Sequence, residues 1–423
     1  MNFIIKGNIC YSKSPQELSF FENSYLVCEG GVSRGVFDSI PEQFKSFPVK
    51  DYSDKLIFPG LVDLHTHAPQ FSFRAFGMDM ELLDWLKTYT FPEEIKYEDL
   101  NYADKAYDLF VRGLSESATT RACIFATIHL PATVILMEKL EKSSIISYTG
   151  LVNMDRNCPD NLSQKSPHNA YASTKGWIES TAERFLNTKP ILTPRFIPVC
   201  SDDLMKSLKK LQVEYNLPVQ SHLSENAEEV KLVEKLSAGF KSYAGAYDKF
   251  NLFGSDNVPT IMAHCVWCSE EDKRLLRDNG VYVAHCPASN TNLSSGIAPV
   301  RDYLSRGIRV GLGSDIAGGT HLSIFKAMSD AVQVSKLYTR HVDSSLKPLT
   351  VNEAFYLGTA GGGSFFGKVG SFEDGFEFDA VVIDDSNIKA PYALSLEERL
   401  TRAIYLSDEI KIVDKYIRGT ISS

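Results

Sequence analysis

The stretch PGLVDLHTHAPQ, residues 59–70, constrains this chain more than any other. Leu61, Val62 and Leu64 run straight into His65-Thr66-His67, the pattern of a buried parallel strand that delivers two imidazoles at its C-terminal end. Side chains two apart on a strand share a face, so His65 and His67 point the same way. Same-face imidazoles can share one metal ion, because neutral histidine nitrogen is the commonest protein ligand for zinc and its neighbours. An isolated H-x-H pair is as readily a pair of solvated or core histidines. The question becomes whether further donors stand at equivalent places.

Downstream, apolar strand-like runs alternate with segments of helical period, which argues for a parallel α/β architecture. Eight such runs occur, at residues 60–66, 119–127, 145–153, 191–199, 217–224, 260–266, 281–287 and 309–315. Eight strands predict a TIM-like (β/α)₈ barrel, whose chemistry sits at the C-terminal strand ends. His222 ends the fifth run and is followed by Glu225 in HLSE; His264 ends the sixth and Asp315 the eighth. Singly, a strand-end histidine is more often a structural residue, and an Asp before Gly-Gly a turn or cap. Together, four of the nine histidines and one aspartate fall on strand ends of a single predicted barrel. His285 in HCPAS stands beside that set, while His129, His168, His321 and His341 fall in helix- or loop-like context.

The two chain ends read differently. Residues 3–57 are short strands split by turns, and the style returns after Gly370 with FDAVVIDD and KIVDKYIRGTI. Because the termini of a domain often lie close together, the expected organisation is a small β-sandwich domain from residues 1–57 plus 367–423, with the barrel at 58–366. After the first barrel strand comes an insert, residues 70–100, rich in aromatics: Phe71, Phe73, Phe76, Trp85, Tyr89 and Phe91. It reads either as packing or as the wall of a pocket for a flat ring.

Composition excludes several classes. The net charge is −9 over 423 residues, with no run of five or six like charges, which disfavours nucleic acid and anionic membrane as partners. No segment approaches eighteen uninterrupted apolar residues, and the N-terminus lacks a signal pattern. Eight cysteines without a secreted-scaffold pattern read as reduced thiols of a cytoplasmic protein. Cys265-Val266-Trp267-Cys268 has no second C-x-x-C and no thioredoxin-like context, so it reads as small residues at a strand end.

With His65, His67, His222, His264 and Asp315 in these positions, the chain resembles the amidohydrolase superfamily in its mononuclear form. PGLVDLHTHAPQ, LDWLKTYTFPEE, TPRF, SHLSEN, MAH, AHCPASN and GLGSDIAGG, spread from about residue 58 to 320, sharpen the resemblance. They point to the branch of that superfamily that deaminates the purine base guanine to xanthine and ammonia, in purine catabolism or salvage. TPRF with HLSEN is the discriminating pair, and EFDAVVI near 377–383 fits the returning small domain. Cys265 after His264 is a small departure, since glycine is commoner there.

The resemblance implies one Zn²⁺ per subunit, or Fe²⁺, and a homodimer. A metal held by His65, His67, His222 and Asp315 can lower the pKa of a water molecule to about 7. The resemblance assigns Asp315 that water's proton and has Glu225 protonate N3 of the purine as C2 is attacked. His264 is either a long fifth ligand or a group that polarises the attacking oxygen. For recognition, Arg195 supplies fixed N–H donors, Gln70 both a donor and an acceptor, and Phe196 a ring face or a backbone N–H, with His222 and Glu225 bordering the substrate. Rival expectations are a sibling hydrolase deaminating or dechlorinating another ring (cytosine, an adenosine derivative, an aminotriazine) and a non-catalytic interaction protein on the same scaffold. The other zinc deaminase class carries H-x-E with P-C-x-x-C, which this chain lacks.

Overall fold

Both ends of the chain alternate apolar and polar residues with the period of a half-buried strand, and they meet in one sheet. In the computed structural model, which describes residues 1–236, 242–254 and 258–422, the first strands are β1 (Asn2–Ser14), β2 (Glu17–Glu29), β3 (Val32–Phe37) and β4 (Val49–Pro59). The barrel segment contributes β5 (Leu61–His67), β6 (Thr119–Phe125), β7 (Ile146–Gly150), β8 (Val152–Asn153), β9 (Thr188–Pro190), β10 (Thr193–Pro194), β11 (Val219–Leu223), β12 (Thr260–His264), β13 (Tyr282–His285) and β14 (Arg309–Leu312). The last strands are β15 (Ala380–Asp384), β16 (Lys411–Ile417) and β17 (Thr420–Ser422). The terminal sheet runs β17-β16-β15-β4-β1-β2-β3. Its centre pairs β4 in parallel with β1 and antiparallel with β15, so segments more than 300 residues apart in sequence share one ladder, as expected. Ile5, Ile9, Leu26, Ile57, Phe372 and Phe378 form its own apolar cluster.

Strands β5, β6 and β12 are buried along their whole length, as an all-parallel sheet covered by helices requires. Two four-stranded parallel arcs, β5-β6-β7-β9 and β11-β12-β13-β14, make up most of it. The arcs join through Leu192, whose N–H donates to Pro218 O and whose carbonyl accepts from Gln220 N, both at 2.9 Å. The ring closes where Asp315 N donates to His65 O at 2.9 Å and His67 N to Ile316 O at 3.2 Å. The closure therefore uses the same residues as the candidate site. Val62, Leu64, Ile191, Ile261, Ala284 and Phe365 fill the opposite half of the interior.

Two expected strands differ, the milder case being the run 145–153, which is divided at Leu151 into β7 and β8. The run 191–199 is not one strand: β9 ends at Pro190, β10 covers only Thr193–Pro194 against β8, and Ile197–Val199 is a 3₁₀ turn. Pro194 and Pro198 inside the run lack the N–H that a central strand must donate, and β9 and β10 each end on a proline, Pro190 and Pro194. At the junction of sheet and barrel, Gly60 sits so close to Thr120 that a Cβ would stand 2.2 Å from its Oγ1. Among the described residues no helix is long and apolar enough to cross a membrane.

Candidate active site

The ligand candidates stand at or near the C-terminal ends of β5, β11, β12 and β14, where the backbone turns away. Ser224, His264, Cys265 and Asp315 all adopt positive φ (50°, 71°, 51° and 44°), a left-handed conformation that non-glycine residues hold only when the surroundings impose it. The expected same-face pair is present: the His65 and His67 rings lie 4.9 Å apart, and His65 and His222 4.8 Å. His67 Nε2 is 3.1 Å from His222 Nε2. Asp315 Oδ1 lies 3.2 Å from His65 Nε2 and 3.6 Å from His67 Nε2. His264 Nε2 is 3.7 Å from Asp315 Oδ2 and 3.4 Å from Glu225 Oε2.

These spacings suit a shared ion. Nitrogen donors about 2.0–2.1 Å from one tetrahedral metal stand about 3.3 Å from one another. The His65 and His264 Nε2 atoms are buried without a hydrogen bond, a costly state for polar nitrogens unless something else engages them. The outer nitrogens of two rings are held: His222 Nδ1 by Arg195 O at 2.6 Å and His264 Nδ1 by Asn290 Oδ1 at 2.9 Å. Such outer bonds fix the tautomer and turn the lone pair of Nε2 inward. Burial lowers His65, and burial with the charges of neighbouring histidines holds His67 and His222 well below the ordinary imidazole range. Neutral rings are the form a metal needs. Burial alone would raise the Asp315 carboxyl, but His65, His264 and His67 around it hold it well below the usual range, an anion at neutral pH. The residues present therefore fit a divalent metal with an N₃O donor set. Glu225 moves the other way. Burial, then the charges of Asp315 and Glu229, push its carboxyl well above the usual range, so it stands ready as an acid.

Over these groups lies a pocket walled by Leu82, Trp85, Leu86, Phe196 and Leu293, with Gln70 and Arg195 also facing it. Of the insert's aromatics only Trp85 lines it. Phe71 packs on Phe110 and Phe73 on Trp85, Phe76 is exposed, and Phe91 lies beneath the Arg195 guanidinium, 5.5 Å from ring centre to Cζ. Gln70 and Arg195, expected for recognition, come together through a residue that sequence reasoning did not single out. Glu94 accepts from Gln70 Nε2 at 3.2 Å and from Arg195 Nη1 at 2.6 Å. Gln70 Oε1 accepts from Ala317 N at 3.1 Å.

Three other neighbours also escaped the sequence reading. Asp63 accepts from Ser314 N, Ser314 Oγ and His65 N at 3.0, 2.5 and 3.1 Å, pinning β5 to the end of β14. Asn290 holds His264. The Cys286 sulfur lies with donor atoms of His65 and Asp315 within one 4.8 Å group, its thiol raised well above the ordinary range by burial and then by Asp315 and Asp63. Asp63, Cys286 and Asn290 all stand in or beside quoted motifs, but their partners are visible only in three dimensions. His285 is buried yet outside the donor groups found among the described residues. Cys265 and Cys268 are free thiols.

A parallel barrel closed through its own ligand strands, with histidines and an aspartate converging at the C-terminal ends, defines a metal-dependent hydrolase site. Residues 56–421 match the Amidohydrolase family, and the chain belongs to it. Within that family the chain is similar to several guanine deaminases. It is 38% identical to guanine deaminase of Dictyostelium discoideum over 88% of this chain and 83% of the relative. With guanine deaminase of Escherichia coli (strain K12) it shares 32% identity over 96% and 94% of the two chains. It superposes on the crystal structure of guanine deaminase from C. acetobutylicum with bound guanine in the active site at a TM-score of 0.96, with 44% identity and all of both chains covered.

Proposed function

We propose that this protein hydrolyses guanine to xanthine and ammonia, using one divalent metal, zinc by donor chemistry, held by His65, His67, His222 and Asp315. The observation that carries the reading is one pocket lined both by a buried Glu225, 3.4 Å from His264, and by a recognition end built from Gln70 and Arg195. The bound metal supplies Lewis acidity that makes water a nucleophile near neutral pH.

The chain's own residues do the rest. Arg195 and Gln70 engage the purine's oxygen-bearing edge, and Phe196 and Trp85 flank the ring. Asp315, held as an anion, takes the proton of the attacking water. Glu225 gives its proton to N3 as the new C2–O bond forms, so charge does not accumulate on the ring. His264, 3.4 Å from Glu225 and 3.7 Å from Asp315, orients the attacking oxygen between the two carboxyl groups. Asp315 then passes the water's proton to the exocyclic nitrogen and Glu225 takes back a proton from the new hydroxyl, so the C2–N bond breaks, ammonia leaves and the C2 carbonyl of xanthine forms. The working form is a homodimer in the cytoplasm, a reading supported by the family resemblance and by eight free cysteines.

The test is metal analysis of purified protein combined with ammonia and xanthine release from guanine. Stoichiometric zinc with turnover is expected. Metal-free protein that turns guanine over, or metal-loaded protein that does not, overturns the reading.

A further inference from the structure

Glu94 lies behind the pocket wall, 1% exposed, and does not face the substrate space. Its two carboxylate oxygens are divided between the two recognition residues: Oε1 takes the Gln70 amide at 3.2 Å and Oε2 the Arg195 guanidinium at 2.6 Å. Gln70 is tied at its other end as well, where Ala317 N donates to Oε1 at 3.1 Å. A flipped Gln70 amide would set its NH₂ against the Ala317 N–H and its carbonyl against the Glu94 carboxylate. Both contacts would be like with like in a dry setting, where an unmatched polar group is expensive. The amide is therefore held in one sense from both ends.

We propose that Glu94 is a positioning residue that sets the hydrogen-bond polarity of the recognition end, and so chooses 6-oxo over 6-amino purines. The inference rests on the guanine reading above and deepens it. Glutamine by itself does not discriminate, because a half-turn of the amide exchanges donor for acceptor. Arginine by itself offers donors only, yet a guanidinium 3% exposed and without a counter-ion does not stay in place. One carboxylate resolves both difficulties. It fixes the sense of the Gln70 amide and pins the Arg195 fork while cancelling its charge. Glu94 can do this because it sits on the short helix Phe91–Ile95, which meets Arg195 through both Glu94 and the Phe91 ring beneath the guanidinium.

The experiment compares wild type, Glu94→Gln and Glu94→Asp as purified metal-loaded enzymes, with guanine and its 6-amino analogue 2,6-diaminopurine as substrates. Glu94→Gln is the same size, but its own NH₂ must face either Gln70 or Arg195. KM for guanine is expected to rise roughly 10- to 100-fold, the range of one charge-assisted hydrogen bond, with kcat changing far less because Glu225, Asp315 and the histidines are untouched. The preference for guanine over 2,6-diaminopurine should fall by a similar factor, and Glu94→Asp, which keeps the charge, should retain more of it. A merely structural Glu94 would lower the melting temperature and leave selectivity as it was; that result overturns the assignment. Should Glu94→Gln not be recovered folded, the exchange Gln70→Glu with Glu94→Gln keeps one carboxylate and one amide at the pair while placing an acceptor at position 70. Guanine preference should be lost there too, and its retention overturns the assignment. Wild-type turnover separates the two readings: absence of guanine turnover removes the proposed function and the inference together, whereas normal wild-type turnover with unaltered variants removes the inference alone.

Discussion

Glu225 could serve either as proton shuttle or as first-turn cap of the helix Ala227–Leu236, and its neighbours decide between these roles. The N–H groups of Glu225 and Asn226 already donate to Glu229 Oε2 at 2.9 and 3.2 Å, and Glu228 N donates to Asn226 Oδ1 at 2.8 Å. The cap is thus made by Glu229 and Asn226, and the Glu225 carboxyl is left facing His264 and the pocket. Glu225→Gln keeps the shape and removes the transferable proton. Its kcat for guanine should drop about 10²- to 10⁴-fold, the usual worth of general acid–base catalysis, while metal content and melting temperature hold. A variant with near-normal kcat and a lowered melting temperature would return Glu225 to a structural role.

At the scale of elements, the sheet and barrel are fastened by a few buried polar groups rather than by apolar contact alone. Arg121 on β6 is 1% exposed and bonds Asp379 Oδ2 at 2.6 Å and Glu377 Oε2 at 2.7 Å, just before β15. On β16, Lys415 donates to the carbonyls of Ser115, Ser117 and Thr119 at 2.6, 3.1 and 3.3 Å. Removing one partner of a buried pair leaves a charge without solvent or counter-ion and costs about 3–5 kcal/mol. Arg121→Met should lose that much in urea unfolding, and adding Asp379→Asn should recover part of it. If the single variant unfolds like wild type, the pair is not what joins the two units.

How far such features were legible depends on their range in sequence. The candidate ligands could be singled out because each is announced locally, by an apolar run that leads into a histidine or aspartate. The run 191–199 misled because its apolar content was weighed above the two prolines inside it, Pro194 and Pro198. Glu94 read as an ordinary helix acid, since its partners Gln70 and Arg195 lie 24 and 101 positions away. The Asp63–Ser314 clamp spans 251 positions and left no local trace.

For the whole molecule, the path of the chain ties stability to the site. β4 lies between β1 and β15 in the terminal sheet and, through Gly60 alone, becomes the strand carrying His65 and His67. Asp315, just past the last barrel strand β14, closes the ring through its N–H, which donates to His65 O. A metal gripping both would clamp the first and last strands of the barrel, and the first is continuous with the sheet built from both chain ends. Loss of the ion should therefore weaken the molecule as one unit rather than loosen a local loop. Ligand present at 100 to 1,000 times its Kd stabilises the folded state by about 2.7–4.1 kcal/mol, which for a chain of this length corresponds to a shift of roughly 3–5 °C. Calorimetry of metal-loaded and chelator-treated protein should show a single transition in both, the midpoint falling by about that amount. Two separated transitions in the treated sample, or an unmoved midpoint, would mean that the sheet and the barrel are energetically independent and that the ligand strands are held without the ion.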